Sequence, residues 1–269
     1  MKKPRVLYIS QEITPYLPET EMASIGRFLP QGIQERGREI RTFMPRFGMV
    51  NERRNQLHEV IRLSGMNLII NDTDHPLIIK VASIQAARMQ VYFIDNEDYF
   101  QRKAILTDEH GEEFPDNDER AIFFARGVLE TVRKLRWTPD LVHCHGWFTA
   151  LIPLYLKKVF YDDPLFGHAK VVYSLYEDSF KKPLNESFKH KILMPGIKPA
   201  DVDVITVPDF VNMSRMAITH SDAVMIGSKV LDPDVESFLR KSGKPFLEYQ
   251  EPESFVEACS TFYQEVLGV

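Results

Sequence analysis

Cysteine is scarce, with only Cys144 and Cys259 among 269 residues. One thiol lies in an apolar strand pattern and the other in a helical one. They make no disulfide framework, which fits a reducing compartment. Long apolar runs are absent as well, so no membrane span is expected. The start, Met1-Lys2-Lys3-Pro4-Arg5, leads into only a short apolar stretch before Gln11 and Glu12, too short for the core of a secretory signal. Together these absences predict a cytoplasmic protein. Extended Lys/Arg runs are missing and the net charge is -5. That excludes broad attraction to nucleic acid or to anionic membrane. No Gly-x-Gly-x-x-Gly follows a strand, so a dinucleotide fingerprint is lacking. Neither a Gly-x-Ser-x-Gly elbow nor a Ser/His/Asp series stands out. There is no internal repeat, low-complexity tract or flexible linker.

What is present is ordinary globular material: 44% apolar and 26% charged residues, enough to bury a substantial core without metals or disulfides. Arg5 to Ser10 reads as a fully buried first strand. Met22 to Arg36 carries Met22, Ile25, Leu29 and Ile33 at helical spacing, and Gly37 ends it. Glu39 to Met44 is a second strand, so the first three elements form a βαβ unit with parallel strands. Residues 57–94 differ. Leu57–Leu63, Leu68–Ile70, Leu77–Ile84 and Met89–Ile94 are short runs punctuated by Asn71-Asp72 and Asp74-His75-Pro76, which predicts an antiparallel or mixed insert at the sheet edge. Asp116 to Arg136 is the clearest helix, with Asp116 as cap, Glu119 at capping-box spacing and an apolar stripe from Ile122 to Leu135. Strands follow at Leu141–Cys144, Lys170–Ser174, Val202–Thr206 and Ala223–Gly227, with a helix at Thr149–Val159. A last helix runs from Pro252 to Leu267, presenting Phe255, Cys259, Phe262 and Val266 on one face. The alternation predicts one doubly wound α/β domain over residues 1–269.

The order of motifs resembles the glycogen/starch synthase family. Val6-Leu7-Tyr8-Ile9-Ser10-Gln11-Glu12 with Pro15-Tyr16 is similar to its opening strand and Pro-aromatic loop. Phe28-Leu29-Pro30, Arg36-Gly37-Arg38 and Met44-Pro45-Arg46-Phe47-Gly48 continue the likeness. Asp116-Asn117-Asp118-Glu119-Arg120 with Phe123-Phe124 resembles the Asp-Asn-x-x-Arg-Phe helix start. Asp140 to Pro153, through His143-Cys144-His145-Gly146-Trp147, resembles the His-x-His-Asp-Trp-His segment. Ser221-Asp222-Ala223-Val224 with Ser228 resembles a strand near the end of the family's first domain. The resemblance implies a Rossmann-like, mostly parallel sheet with a small antiparallel or mixed insert, one half of a two-domain GT-B glycosyltransferase. It is the half that receives the growing glucan. Only about 40 residues follow Ser228, too few for the sugar-nucleotide domain. The stretch 252–267 resembles the family's last helix, which packs back onto the first domain, and this predicts a whole gene that lost its middle.

Several family positions depart from the pattern. The family's Lys-Thr-Gly-Gly-Leu phosphate loop aligns with Pro18-Glu19-Thr20-Glu21-Met22. Glycines let backbone N–H groups approach phosphate, and a lysine with a helix N-terminus adds positive charge. Here two carboxylates stand instead. Unit charges ~4 Å apart repel by about 4 kcal/mol at an effective dielectric near ~20. Glu19 and Glu21 also read as solvated acids that suit a helix start. His143 and His145 lie two apart on a strand and face one side. The resemblance makes His145 the sugar-contacting histidine, while Gly146 replaces the family's Asp and Phe148 its third His. A metal site is the alternative, but no Asp, Glu or His at suitable spacing completes it. A structural role suits His143. Trp147 suits sugar stacking or a core, and Asp116 and Asn117 suit the acceptor side or a helix cap. The family's Thr-x-His-Asn is Ser174-Leu175-Tyr176-Glu177.

These features predict substrate-binding candidates Asp116, Asn117, His145 and Trp147, a degraded donor-phosphate loop at Pro18, Glu19, Thr20 and Glu21, no confident catalytic residue, and no metal or cofactor. The expected ligand is a glucan or small sugar. The expected partner is a second copy or another protein covering the interdomain face. Three functions follow: a non-catalytic glucan-binding or partner domain; an active transferase, alone or with a donor-domain subunit using ADP- or UDP-glucose; or an oligomeric interaction protein.

Overall fold

A computed structural model describes residues 3–269. In chain order the elements are β1 (Arg5–Ser10), α1 (Glu21–Glu35), β2 (Glu39–Pro45), β3 (His58–Glu59), β4 (Met66–Ile70), β5 (Thr73–Ile84), β6 (Met89–Asp95), α2 (Glu97–Phe100), α3 (Asn117–Leu135), β7 (Leu141–His145), α4 (Leu151–Lys158), β8 (Lys170–Leu175), α5 (Phe188–Lys191), α6 (Phe210–His220), β9 (Ala223–Ile226), α7 (Pro233–Lys241), β10 (Phe246–Leu247) and α8 (Pro252–Leu267). The sheet order is β10-β9-β8-β7-β1-β2-β6-β5-β3, with β4 paired to β5. From β10 to β6 every pairing is parallel. β5 runs antiparallel to β6, β3 and β4 at the edge. This is the doubly wound sheet with its mixed insert.

The strands are apolar on both faces because both faces are covered. Leu7 and Ile9 of β1 pack in one layer with residues of α3 and α4. Val6 and Tyr8 pack in the other, against Leu29 and Ile33 of α1 and Phe255, Phe262 and Tyr263 of α8. α8 lies directly on α1. The contact is close enough that a Cβ on Gly32 would stand 2.4 Å from Val256 Cγ1. No helix among the described residues is long and apolar enough to cross a membrane.

Four sequence expectations need correction. Val202–Thr206 is no strand. Pro199 opens a 3-10 turn through Val202, and the Asp201 carboxylate accepts from the Lys198 N–H at 2.8 Å. Val202 and Ile205 are buried singly, as anchors of a loop. Of Leu57–Leu63 only His58–Glu59 pairs in the sheet. The helix expected at Thr149 starts as a 3-10 turn at Trp147–Thr149 and becomes α-helical from Leu151. Asp116 occupies the N-cap position of α3, yet its side chain makes no capping bond, because Arg102 engages both its oxygens. The helices α6 and α7 are not foreshadowed by any periodicity picked out above. α6 buries most of its circumference, so it lacks the polar stripe that marks a surface helix.

Candidate functional site

The chain leaves β1 toward β2 on one side of the sheet and returns through β7 on the other. In such sheets the crevice beyond the carboxyl ends of the strands at this reversal is where ligands sit. The segments after β1, β7 and β8 meet there: Gln11-Glu12, Gly146-Trp147 and Tyr176-Glu177-Asp178. The first and last of these, together with Thr20, Glu21 and Ser228, line a cleft of about 370 Å³.

The charge of this cleft is one-sided. Glu12, Glu21, Glu177 and Asp178 line it, and no Lys or Arg does. Pro18, Glu19, Thr20 and Glu21 are all exposed. Thr20 caps α1: its hydroxyl accepts from the Ala23 N–H at 3.0 Å and donates to the Glu12 carboxylate at 2.7 Å. Glu19 accepts from the Ser24 hydroxyl at 3.2 Å. A helix N-terminus is a ready anion site. Here the chain's own carboxylates crowd it.

Gly146 sits where a side chain would not fit. It holds φ +84°, and a Cβ there would stand 2.8 Å from the Met22 thioether and 3.0 Å from Asp178 Oδ2. The Asp178 carboxylate instead accepts the Trp147 N–H at 2.7 Å. Burial pushes the Asp178 carboxyl up to about 7 against that N–H, and the neighbouring Glu12 charge adds to the rise.

The two histidines do share a face, with ring centroids 3.9 Å apart, but both are wholly buried beneath the cleft. His143 shares hydrogen bonds with Tyr263 of α8 at 2.5 Å and Ser174 at 2.7 Å, so both ring nitrogens are committed to the core. His145 bonds Tyr176 through Nδ1 at 2.8 Å, and Tyr176 is a wall of the cleft. Burial holds His145 at about 3, so it is neutral. Among the described residues no group of three or more His, Cys, Asp or Glu is placed to hold a metal ion.

Trp147 and Asn117 come together elsewhere. They line a second hollow of about 360 Å³ with Phe114, Phe180, Lys182 and Asn185. Trp147 packs against Phe180 with centroids 4.7 Å apart. Asn117 donates to the Leu106 carbonyl at 2.8 Å and accepts from Arg120 at 2.6 Å, so its amide fixes the wall. Asp116 and His145 do not line this hollow. Phe180, Lys182 and Asn185 carry no sequence signal. They belong to the irregular stretch between β8 and α6, whose anchor is Lys191, paired with Asp118 at 2.7 Å and Glu119 at 2.8 Å. The sequence Asp118-Glu119 was the available hint, since two adjacent acids at a buried helix start need a cation.

Comparison with known proteins matches residues 5–237 to the family described as the starch synthase catalytic domain. A glycogen synthase of Chlorobium limicola is 34% identical over 232 residues, covering 86% of this chain and 47% of the relative. A glycogen synthase of Chlorobium chlorochromatii is 37% identical over 218 residues, covering 80% and 44%. The chain therefore spans about half the length of the curated relatives it matches. In structure it is similar to the catalytic domain of starch synthase IV from Arabidopsis thaliana bound to ADP and acarbose. The TM-score is 0.73 at 17% identity, covering 94% of this chain and 53% of that one. At that identity the likeness speaks for the fold.

Proposed function

The chain belongs to the starch synthase catalytic domain family, and from that premise we propose that it recognises a glucan or short oligosaccharide without transferring glucose on its own. It is a glycogen/starch synthase-like glycosyltransferase domain. One observation carries the finer reading: the cleft at the strand ends is lined by Glu12, Glu21, Glu177 and Asp178, with no basic residue. A nucleotide diphosphate entering there meets acidic groups, no cation, and a helix N-terminus already capped by Thr20. Each unscreened like-charge contact costs on the order of 4 kcal/mol, and every ~1.4 kcal/mol is tenfold in affinity.

The hollow beside it favours a neutral sugar. Phe114 and Phe180 offer half-buried aromatic faces, Trp147 backs the hollow from the core, and Lys182 and Asn185 offer donors for hydroxyls. This is the usual make-up of a ligand site, apolar walls with few polar groups. ADP and acarbose, the two ligands bound to starch synthase IV, supply the arms of the test. Calorimetry of this chain should register acarbose or maltoheptaose and give no heat with ADP or UDP. Phe180→Ala, at a half-buried position on the hollow, should abolish the sugar signal. Transfer of labelled glucose from ADP-glucose or UDP-glucose to glycogen by the isolated chain would defeat the reading. Transfer only after adding a second chain would favour the alternative, a transferase completed by a separate donor-binding subunit.

A further inference from the structure

A groove of about 640 Å³ separates the first turns of α1 from the segment entering α8. Ile25, Phe28, Tyr249, Phe255 and Val256 make its apolar lining, and Glu19 and Glu21 its acidic rim. Phe28 is half exposed in spite of its size. Thr20 and Glu21 also line the strand-end cleft, so the two concavities meet along one edge.

Together they hold five acids: the glutamates Glu12, Glu19, Glu21 and Glu177, and Asp178, whose carboxyl is kept partly protonated near neutral pH by burial. Among the described residues none of the five is within ion-pair distance of a cation. Several acids elsewhere are partnered, as Asp95 is by Arg46 and Lys80, Asp222 by Lys157, and Glu248 by Arg240; what sets these five apart is that they gather along the edge of one apolar groove. Two cations stand near the groove without lining it. Arg27 lies 5.0 Å from the Phe28 ring centroid, and Lys229 lies 5.5 Å from that of Tyr249 and is paired with Glu251.

We propose that this trough docks a basic amphipathic segment of a partner protein, apolar side chains in the groove and Lys or Arg across Glu19 and Glu21 toward Glu177 and Asp178. The groove's volume falls in the range of sites that enclose several side chains' worth of apolar ligand. Its unpaired carboxylates select a cationic occupant and raise its rate of encounter. A second copy of this chain fits poorly, because a two-fold contact places the same acidic rim opposite itself. The sign of the charge likewise rejects nucleic acid and anionic lipid. Neither Trp147 nor Phe180 takes part, so docking here is independent of sugar binding in the hollow.

The test is fluorescence polarisation with a labelled fourteen-residue peptide of Leu and Lys at amphipathic helical spacing, at two ionic strengths. The intact chain should bind it in a salt-sensitive manner and ignore the same peptide with Glu for Lys. The double variant Glu19→Lys/Glu21→Lys should weaken binding at least tenfold, and Phe28→Asp likewise. The double variant Asp74→Lys/Asp162→Lys carries the same net charge, lies outside the trough, and should stay within twofold of the parent. All are exposed or half-exposed positions, and melting curves establish that each variant is folded. Equal weakening by both double variants would overturn the proposal, because binding would then follow net charge alone. So would spermine displacing the peptide while Phe28→Asp has no effect, or light scattering that finds a dimer disrupted by Phe28→Asp.

Discussion

Two helices begin beside these concavities, α1 at the strand-end cleft and α3 at the hollow next to it, and both begin with acids. At α3 every acid is engaged: Asp116 by Arg102, Asp118 by Lys191, and Glu119 by Lys191 and the Tyr99 hydroxyl. Asp118 is wholly buried. At α1 the acids are exposed and, among the described residues, lack cations. The same residue type in the same helix position therefore does two jobs. Where a carboxylate is desolvated it must be neutralised or partnered, and it then fixes the fold. Where it stays in water its field reaches outward, and it then decides what can approach. The difference separates the sugar-sized hollow, whose wall is locked by α3, from the acidic trough beside α1.

The sharpest way to break this comparison is Lys191→Ala. It leaves Asp118 buried without its cation, and breaking such a buried pair costs about 3–5 kcal/mol. Thermal unfolding should fall by many degrees, and the Trp147 hollow should loosen with it. A drop no larger than that of a surface substitution would show that α3 is not held this way. Thr20→Ala removes the cap of α1 and should cost about 1 kcal/mol, read from urea denaturation midpoints, with little effect on the hollow.

Asp178→Asn has a pH signature. The folded-state carboxyl lies near 7, above its ordinary value. The native state thus holds a proton that the unfolded state has released, and stability falls as pH rises from about 4 to about 7. The amide keeps an acceptor for the Trp147 N–H and carries no charge. The variant should melt above the parent at pH 8 and converge on it near pH 4. A constant offset would place the effect in packing instead. The smallest expected change is Glu19→Gln/Glu21→Gln, within about 0.5 kcal/mol of the parent, since neither acid makes an ion pair among the described residues. Its calorimetric response to ADP should nonetheless exceed the parent's, which separates the field of α1 from its stability.

Much of the architecture was legible in the residues. β1, α1, β2, α3 and α8 each carry a clean period, because each buries one stripe or two full faces. The edge insert was legible from its turn residues. Val202–Thr206 misled because two buried aliphatics in a loop imitate a short strand. The site was less legible. The resemblance pointed to Pro18–Glu21 as a degraded phosphate loop, and the structure places those residues exposed at the start of α1. The partner of Asp116 could not, because Arg102 comes from an irregular segment with no period. Trp147 and Asn117 were found from the resemblance, whereas Phe180, Lys182 and Asp178 depend on the path of a long loop. Asp116 and His145 belong with them in sequence pattern but not in space.

The bond between Tyr263 and His143 ties the last helix to the central strands across 120 residues, and the same helix covers Tyr8 of the first strand. A polypeptide grows from its N-terminus at about 5–20 residues per second, so tens of seconds separate the synthesis of Tyr8 from that of its cover. Until α8 is made, the face formed by Val6, Tyr8, Leu141 and Val172 has Leu29 and Ile33 of α1 for cover and lacks Phe255, Phe262 and Tyr263. Such surfaces invite aggregation, and contacts so distant in sequence close slowly. The nascent domain is at its most vulnerable just before it is complete, and slower synthesis at low temperature with chaperone support is the natural remedy.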